Sequence, residues 1–568
     1  MFARNIKINK MKHIIFYLVI AISIFSANAQ ELIPQQRSID AIFSKWDSKD
    51  VPGGSVGIIK EGKLIFAKGY GSANLDYNIS NGPKTVFKIA STSKQFTAAS
   101  IIILAQRGKL SLQDKLSTYF PKFPSYANNI TIQHLLNHTS GIRDYIILAR
   151  LSGLSANDYY TDKTVGKLLM SQQELNFNPG EEFLYSNSGY WLLGQIIEKV
   201  SGESLAVFAK KNIFDPLKMK NSRFHDNFIE VVKNRATGYR SNRKGGFFQY
   251  MTTLNMVGDG GLLTTINDLA KWDFSFYDTS VFNKDFWNLM LQLGTLNNGK
   301  KIPYASGLAF RNYKGLEVIH HSGSFVGYRT QFIRFPKAKF SVIVLANRTD
   351  TDPSKLAYKI ADLFLKDEYK NQKQRKPIKE TVKKLDKKEF SLSVKELKSF
   401  EGAFWSKKNK SSRKLLVIDG VLNYVRSNGS KTKMQPIAKN KFQMIGPRTP
   451  VYLEVKYTKK SKEFTIGRSN SVPMTFTKFE PITTYSNEDL DSYSGDYYSS
   501  ELDVVYSLKR RKNKVILMVK DNPIGEVKQI MKDVISIRAR QTFEFNKNRT
   551  AFRLSMLGRV KDIKFVKR

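Results

Sequence analysis

The chain has no cysteine among its 568 residues. This excludes disulfide staples, thiol nucleophiles, cysteine-based metal sites and lipid attachment through cysteine. A chain of this length must then be held by burial and packing. Histidine is almost as scarce, with six copies, so imidazole-rich metal centres have few candidates. Acidic residues are outnumbered: 49 Asp and Glu stand against 92 Lys and Arg, a formal charge of +43. The cations are scattered along the whole chain, without a helix-turn-helix, zinc-finger or RNP-type pattern, which argues against a nucleic-acid partner. Anionic envelope polymers are the neighbours such a surface attracts. Beyond the first 25 residues no apolar run is long enough to cross a bilayer, and no P-loop or dinucleotide fingerprint is present.

What is present begins with an address label. MFARNIKINKMKH is basic, IIFYLVIAISIF is apolar but short, and SANAQ offers small residues at Ala27 and Ala29. This reads as a secretory signal over residues 1–29, cleaved after Ala29, and places the mature protein in the periplasm or outside the cell with no membrane span. Hydrophobic residues at 41% and aromatics at 12% are ample for buried cores, and the length calls for several domains.

Residues 30–368 alternate helical and strand patterns. VGIIKEGKLIFAKGYG, residues 56–71, reads as a hairpin turning at Glu61-Gly62. Residues 355–370 have helical apolar spacing and close this domain. A lysine-rich linker follows at 369–393. An internal repeat then appears: LKSFEGAFWS from Leu397 and LDSYSGDYYS from Leu490 share Leu, aromatic, Gly, aromatic pair and Ser at equal offsets. Short alternating strands follow each copy, so residues 394–483 and 484–568 are expected to be two small all-β barrels.

The chemistry is concentrated in IASTSKQFTAAS, residues 89–100. Phe96, Ala99, Ile103 and Leu104 give an amphipathic helix stopped by Gly108, with Ser91 at or just before its start. Lys94 lies three residues on, on the same face. A serine hydroxyl becomes a nucleophile when a neighbouring group takes its proton, and N–H groups at a helix start favour developing negative charge. Alone, the pair also fits a helix cap beside a solvated lysine.

Four further stretches occur in order: LLNHTSGIRDY, FLYSNSGYW, GDGGLLTTINDLAKW and HHSGSFVGYRT. With S-T-S-K at Ser91–Lys94, they supply Y-S-N at Tyr185 and H-S-G at His321, and residues 35–365 thereby resemble the serine β-lactamase and penicillin-binding-protein superfamily, in its class C, esterase and D-aminopeptidase branch. The resemblance implies an α+β domain, an antiparallel sheet flanked by helices plus an all-helical subdomain, with the two lipocalin-like barrels appended. It implies Ser91 as the acylated nucleophile, Lys94 as proton acceptor and Tyr185 as the shuttle to the leaving group. Asn187, His321, Ser322 and Gly323 would bind substrate, and the backbone N–H groups of Ser91 and Ser324 would form the oxyanion hole. No metal or organic cofactor is implied. His321 stands where lysine is usual in β-lactamases, and a neutral imidazole is a weaker carboxylate anchor.

Other serines and histidines read as decoys. Gly53-Gly54-Ser55-Val56-Gly57 matches G-x-S-x-G but enters a hairpin rather than a strand–turn–helix. His134 and His138, four apart, lack an H-E-x-x-H pattern and read as structural. The expected function is an exported serine hydrolase working through an acyl-enzyme on small peptides, including D-residue peptides, or on esters. A promiscuous esterase and a non-catalytic envelope-binding protein are the alternatives. Oligomeric state is not legible.

Overall fold

The computed structural model describes residues 34–369 and 390–568, apart from 156–157, 448–449, 459–460, 469–472, 483–485 and 538–539. The signal segment read at 1–29 and nearly all of the linker read at 369–393 lie outside the described residues. No helix among the described residues is long and apolar enough to cross a membrane.

Six antiparallel strands form the central sheet, in the order Ala309–Tyr313, Leu316–Phe325, Tyr328–Phe335, Phe340–Ala346, Gly54–Lys60 and Lys63–Tyr70. The expected hairpin is there. Its turn uses Glu61 at φ 51 and Gly62 at φ 78, the positive pair that matches strand twist in a two-residue turn. Gly54 pairs with Ala346 and Lys60 with Phe340, so the ends of the domain meet in one sheet. Alternation then sorts the side chains. Val56, Ile58, Val342 and Val344 face a core closed by the helices Gln36–Phe43 and Pro353–Phe364. Ile59, Ile343 and Leu345 face the larger core, which holds the helix Lys94–Gln106.

That helix differs from its expected amphipathic form. Every residue from Lys94 to Leu104 is buried, because the helix runs through the domain rather than over it. Its polar side chains are satisfied inside: Thr97 donates to the Gly258 carbonyl at 2.7 Å and Ser100 to that of Phe96 at 3.0 Å. Gln95 accepts from the Trp272 indole at 2.6 Å. Polar groups paired in this way need no wet face.

The carboxy-terminal half forms two closed eight-stranded antiparallel barrels. Strands run from Gly402–Ser406 to Met474–Phe479 in the first and from Gly495–Ser499 to Val560–Lys567 in the second. The repeat maps onto equivalent places. Leu397 and Leu490 are buried in the short helices Val394–Lys398 and Asn487–Ser492, and Gly402 and Gly495 follow at φ 151 and 140. Closure leaves no free sheet edge. The second barrel shares one apolar core with the sheet-and-helix domain, whereas the first has its own.

Candidate active site

The strand Phe87–Lys88 leads through Ile89 into a 3-10 turn, Ala90–Ser93, and the long helix starts at Lys94. Ser91 therefore sits just before the helix, as its sequence position suggests. Ala90 takes φ 49, a left-handed conformation that costs a non-glycine residue about 1–3 kcal/mol and is retained where its surroundings impose it. Those surroundings are visible: Ser93 donates to the Ala90 carbonyl at 2.6 Å, and Thr330 donates to that of Ile89 at 2.9 Å. Together they turn Ser91 into a cavity of about 770 Å³.

Lys94 is 0% exposed and its Nζ has three partners. It meets Ser91 Oγ at 3.3 Å, Asn187 Oδ1 at 3.0 Å and the Asp259 carbonyl at 2.5 Å. The last two are acceptors only. With two of its contacts taken by these acceptors, the remaining contact of Nζ is the one that faces the Ser91 hydroxyl. The orientation of Asn187 is fixed from its other end, because its Nδ2 donates to Asp144 Oδ2 at 2.8 Å. Asp144 also accepts the Asn187 backbone N–H at 3.0 Å and caps the helix Tyr145–Leu151. Arg559, on the turn before the last strand of the second barrel, faces the same carboxylate at 3.8 Å. A polar chain thus runs from Arg559 through Asp144 and Asn187 to Lys94 and Ser91.

Tyr185 completes the group. Its ring centroid lies 5.0 Å from Lys94 Nζ, and Arg559 lies over the same ring at 5.1 Å. The Tyr185 hydroxyl is buried without a hydrogen-bond partner among the described residues. Such an orphan costs about 1–3 kcal/mol and is the feature expected of a group that engages only with substrate. His138 packs on Tyr185 at 4.3 Å between ring centroids, and its Nδ1 accepts from the Ser186 N–H at 3.2 Å. His134 closes a capping box with Thr131. Both histidines hold structure, as read from the sequence.

His321 is buried and its ring is pulled down to about 3, chiefly by burial and then by Lys94. It is neutral at any ordinary pH. Nδ1 donates to the Ser322 carbonyl at 2.7 Å, which leaves Nε2 to accept from the Tyr304 hydroxyl at 3.1 Å. Both nitrogens are thus occupied. Ser322 and Ser324 are exposed on the strand Leu316–Phe325 and line the cavity with Ser91, Tyr185 and Asn187. Gly323 is buried and is not among the lining residues. A Cβ there would stand 2.1 Å from the Ile89 carbonyl oxygen, so glycine lets the strand press against the segment that carries Ser91. Ser55 is buried in the sheet and donates to the Gly82 carbonyl at 2.8 Å, out of reach of any substrate.

Asp144, Asp259, Tyr304, Lys88 and Arg559 line the site but were not singled out from the sequence. Only Asp259 carried a signal, an acid placed between two glycines in GDGG. Its carboxyl, held by Tyr145 Oη at 3.3 Å, is pushed up to about 6 by burial, with Lys94 opposing and Asp144 adding. A carboxyl raised from 3.8 by folding subtracts stability as pH rises through that window, and the deficit is complete above about 6. Asp259→Asn is therefore expected to stabilise the fold at pH 7.5 by on the order of 2–3 kcal/mol, with the gap closing toward pH 4. Thermal melts at the two pH values check this; an equal effect at both contradicts it.

The Beta-lactamase family model matches residues 39–364. Penicillin-binding protein 4* of Bacillus subtilis is 30% identical over 346 residues, covering 58% of this chain and 76% of that protein. A D-aminopeptidase of Brucella anthropi is 27% identical over 314 residues, which cover 55% of this chain but only 59% of the relative. The octameric penicillin-binding protein homologue from Pyrococcus abyssi superposes with a TM-score of 0.53 at 26% identity, over 78% of this chain and 99% of that one. The D-amino acid amidase from Ochrobactrum anthropi, at 19% identity and a TM-score of 0.51 over 59% of this chain and 100% of that one, shares the fold. The chain belongs to the beta-lactamase family of serine hydrolases.

Proposed function

We propose that this is an exported hydrolase that cleaves small peptides, including those with D-residues, or esters through an acyl-enzyme on Ser91. The observation that carries this reading is the contact of Ser91 Oγ with a buried Lys94 whose other partners are pure acceptors. In the proposed sequence Lys94 takes the Ser91 proton as Oγ attacks the substrate carbonyl. The backbone N–H groups of Ser91 and Ser324 hold the developing oxyanion. Tyr185 then passes a proton to the leaving group, which departs as an amine or alcohol, and water attacks the acyl ester in the reverse sense. The names of the D-aminopeptidase and D-amino acid amidase relatives support D-configured substrates. The signal segment expected from the sequence supports export.

Side-by-side assays of D-amino-acid amides, short acyl esters and D-Ala-terminated peptides test the reading. Turnover of at least one class, with a covalent intermediate at Ser91, is the expected result. Turnover of none, with no acyl-enzyme, favours a binding protein instead.

A chromogenic cephalosporin is expected to be a poor substrate. The neutral and fully engaged His321 offers its carboxylate no cation at that position. Rapid hydrolysis measured by absorbance would contradict this.

A further inference from the structure

Lys88 is a charge without a counterpart. It lies on the strand Phe87–Lys88, three residues before Ser91, is 4% exposed, and lines the same cavity. No ion pair or side-chain hydrogen bond reaches its ammonium among the described residues. A cation buried in this way is costly unless something of opposite charge meets it. Its surroundings make matters worse: Arg235 lies near it, His225 beside it is held below its ordinary value by burial and by Lys88 itself, and among the described residues Asp259 opposes the charge without forming an ion pair. The other cations that line the cavity are accounted for. Arg559 faces Asp144, Arg329 donates to the Val326 and Tyr328 carbonyls, and Arg150 is exposed. Lys94 is committed to Ser91, Asn187 and Asp259, and His321 is neutral.

We propose that Lys88 is a specificity residue that binds a carboxylate of the substrate, so that the preferred substrates are acidic, with the anion within a short reach of the scissile bond. Ile89 and Ala90 are turned rather than extended, so the Lys88 and Ser91 backbones lie closer than the roughly 11 Å that three extended residues span, which leaves the ammonium able to reach an anion on a residue beside the scissile bond. A cavity of about 770 Å³ accommodates a ligand of that size. Binding would supply the missing negative charge to a lysine that is itself 4% exposed, where a charge-assisted contact is stronger than at a surface.

The proposal rests on the acyl-enzyme reading, and the test separates the two. Labelling of Ser91 by a neutral fluorophosphonate reports that reading alone. The substrate pair is D-glutamic acid α-amide against D-glutamine α-amide, which differ in one side-chain group. A second pair, D-alanyl-D-glutamate α-amide against D-alanyl-D-glutamine α-amide, places the carboxylate on the leaving side.

In the full-length protein at pH 7, one acidic substrate should exceed its amide partner at least tenfold in kcat/KM, mainly through KM. Lys88→Met should bring that ratio near one while fluorophosphonate labelling stays within about threefold of the parent, since the neutral probe does not use the ammonium. Lys88 is pulled down to about 8 by burial and Arg235, with Asp259 and His225 the other groups facing it. The ratio should therefore collapse as pH rises through 8 to 9 in the unaltered protein, which decides the matter even if Lys88→Met fails to fold. Labelling with no acidic preference in either pair, or a preference that survives Lys88→Met, overturns the proposal.

Discussion

Ser91→Ala is expected to abolish covalent labelling by a fluorophosphonate and to lower kcat/KM by on the order of 10³–10⁶. The physical reason is that in the proposed mechanism Ser91 Oγ is the atom to be acylated, and among the described residues no other hydroxyl in the cavity is held against a buried amine as it is at 3.3 Å. Lys94→Met should cost nearly as much, because groups acting as a unit fail together. The loss should not be a folding defect. Ser91 is partly exposed, and removing its hydroxyl opens no apolar cavity, so the melting temperature should move little. Intact-mass spectrometry of labelled protein, beside a melt, checks both points. Persistent labelling of Ser91→Ala would place the nucleophile elsewhere.

Glu501→Ala is expected to be the most destabilising single change among the described contacts between domains. Arg143, in the sheet-and-helix domain, and Glu501, in the second barrel, form an ion pair with side chains 1% and 5% exposed. Glu501 also accepts from the Gln173 N–H at 3.0 Å and the Lys564 N–H at 3.3 Å. Removing the acid leaves the buried Arg143 with only the half-exposed Glu174, at 3.9 Å, as a counter-charge, a loss on the order of 3 kcal/mol. The double variant Arg143→Met, Glu501→Leu removes both charges and should recover much of it. Calorimetric melts compare the three proteins; a single variant that melts with the parent would show the pair to be solvated.

The same change should be felt in catalysis. The second barrel delivers Arg559 to Asp144, and the Arg559 carbonyl accepts from Asn176 Nδ2 at 2.8 Å. Loosening the barrel weakens the hold on Asn187 and opens the cavity mouth. Glu501→Ala should accordingly raise KM and broaden the range of accepted substrates more than it slows labelling of Ser91.

Much of the domain plan was readable in one dimension because its signals are local. A hairpin needs two β-rich runs and a Glu-Gly turn, and a barrel repeat needs Leu, Gly and aromatics at fixed offsets. The trio of S-T-S-K, Y-S-N and H-S-G was legible for a related reason: each is contiguous in the chain, the first running from a 3-10 turn into the helix at Lys94, the second leading into the helix Asn187–Ser201 and the third lying within the strand Leu316–Phe325. The helix beginning at Lys94 misled, since its apolar spacing suggests a wet face. Its polar residues instead find partners at Gly258 and Trp272, more than 150 positions away.

Order and spacing of residues therefore determined the family and the paired barrels, and pointed to Ser91, Lys94 and Tyr185 as the groups of the proposed chemistry. Tertiary structure alone decided that Asp144 orients Asn187, that His321 is neutral with both nitrogens occupied, that Lys88 is left uncompensated and that a barrel turn brings Arg559 over Tyr185. Charge state and reach depend on what surrounds a side chain after distant segments pack, and burial, not position in the chain, sets that environment.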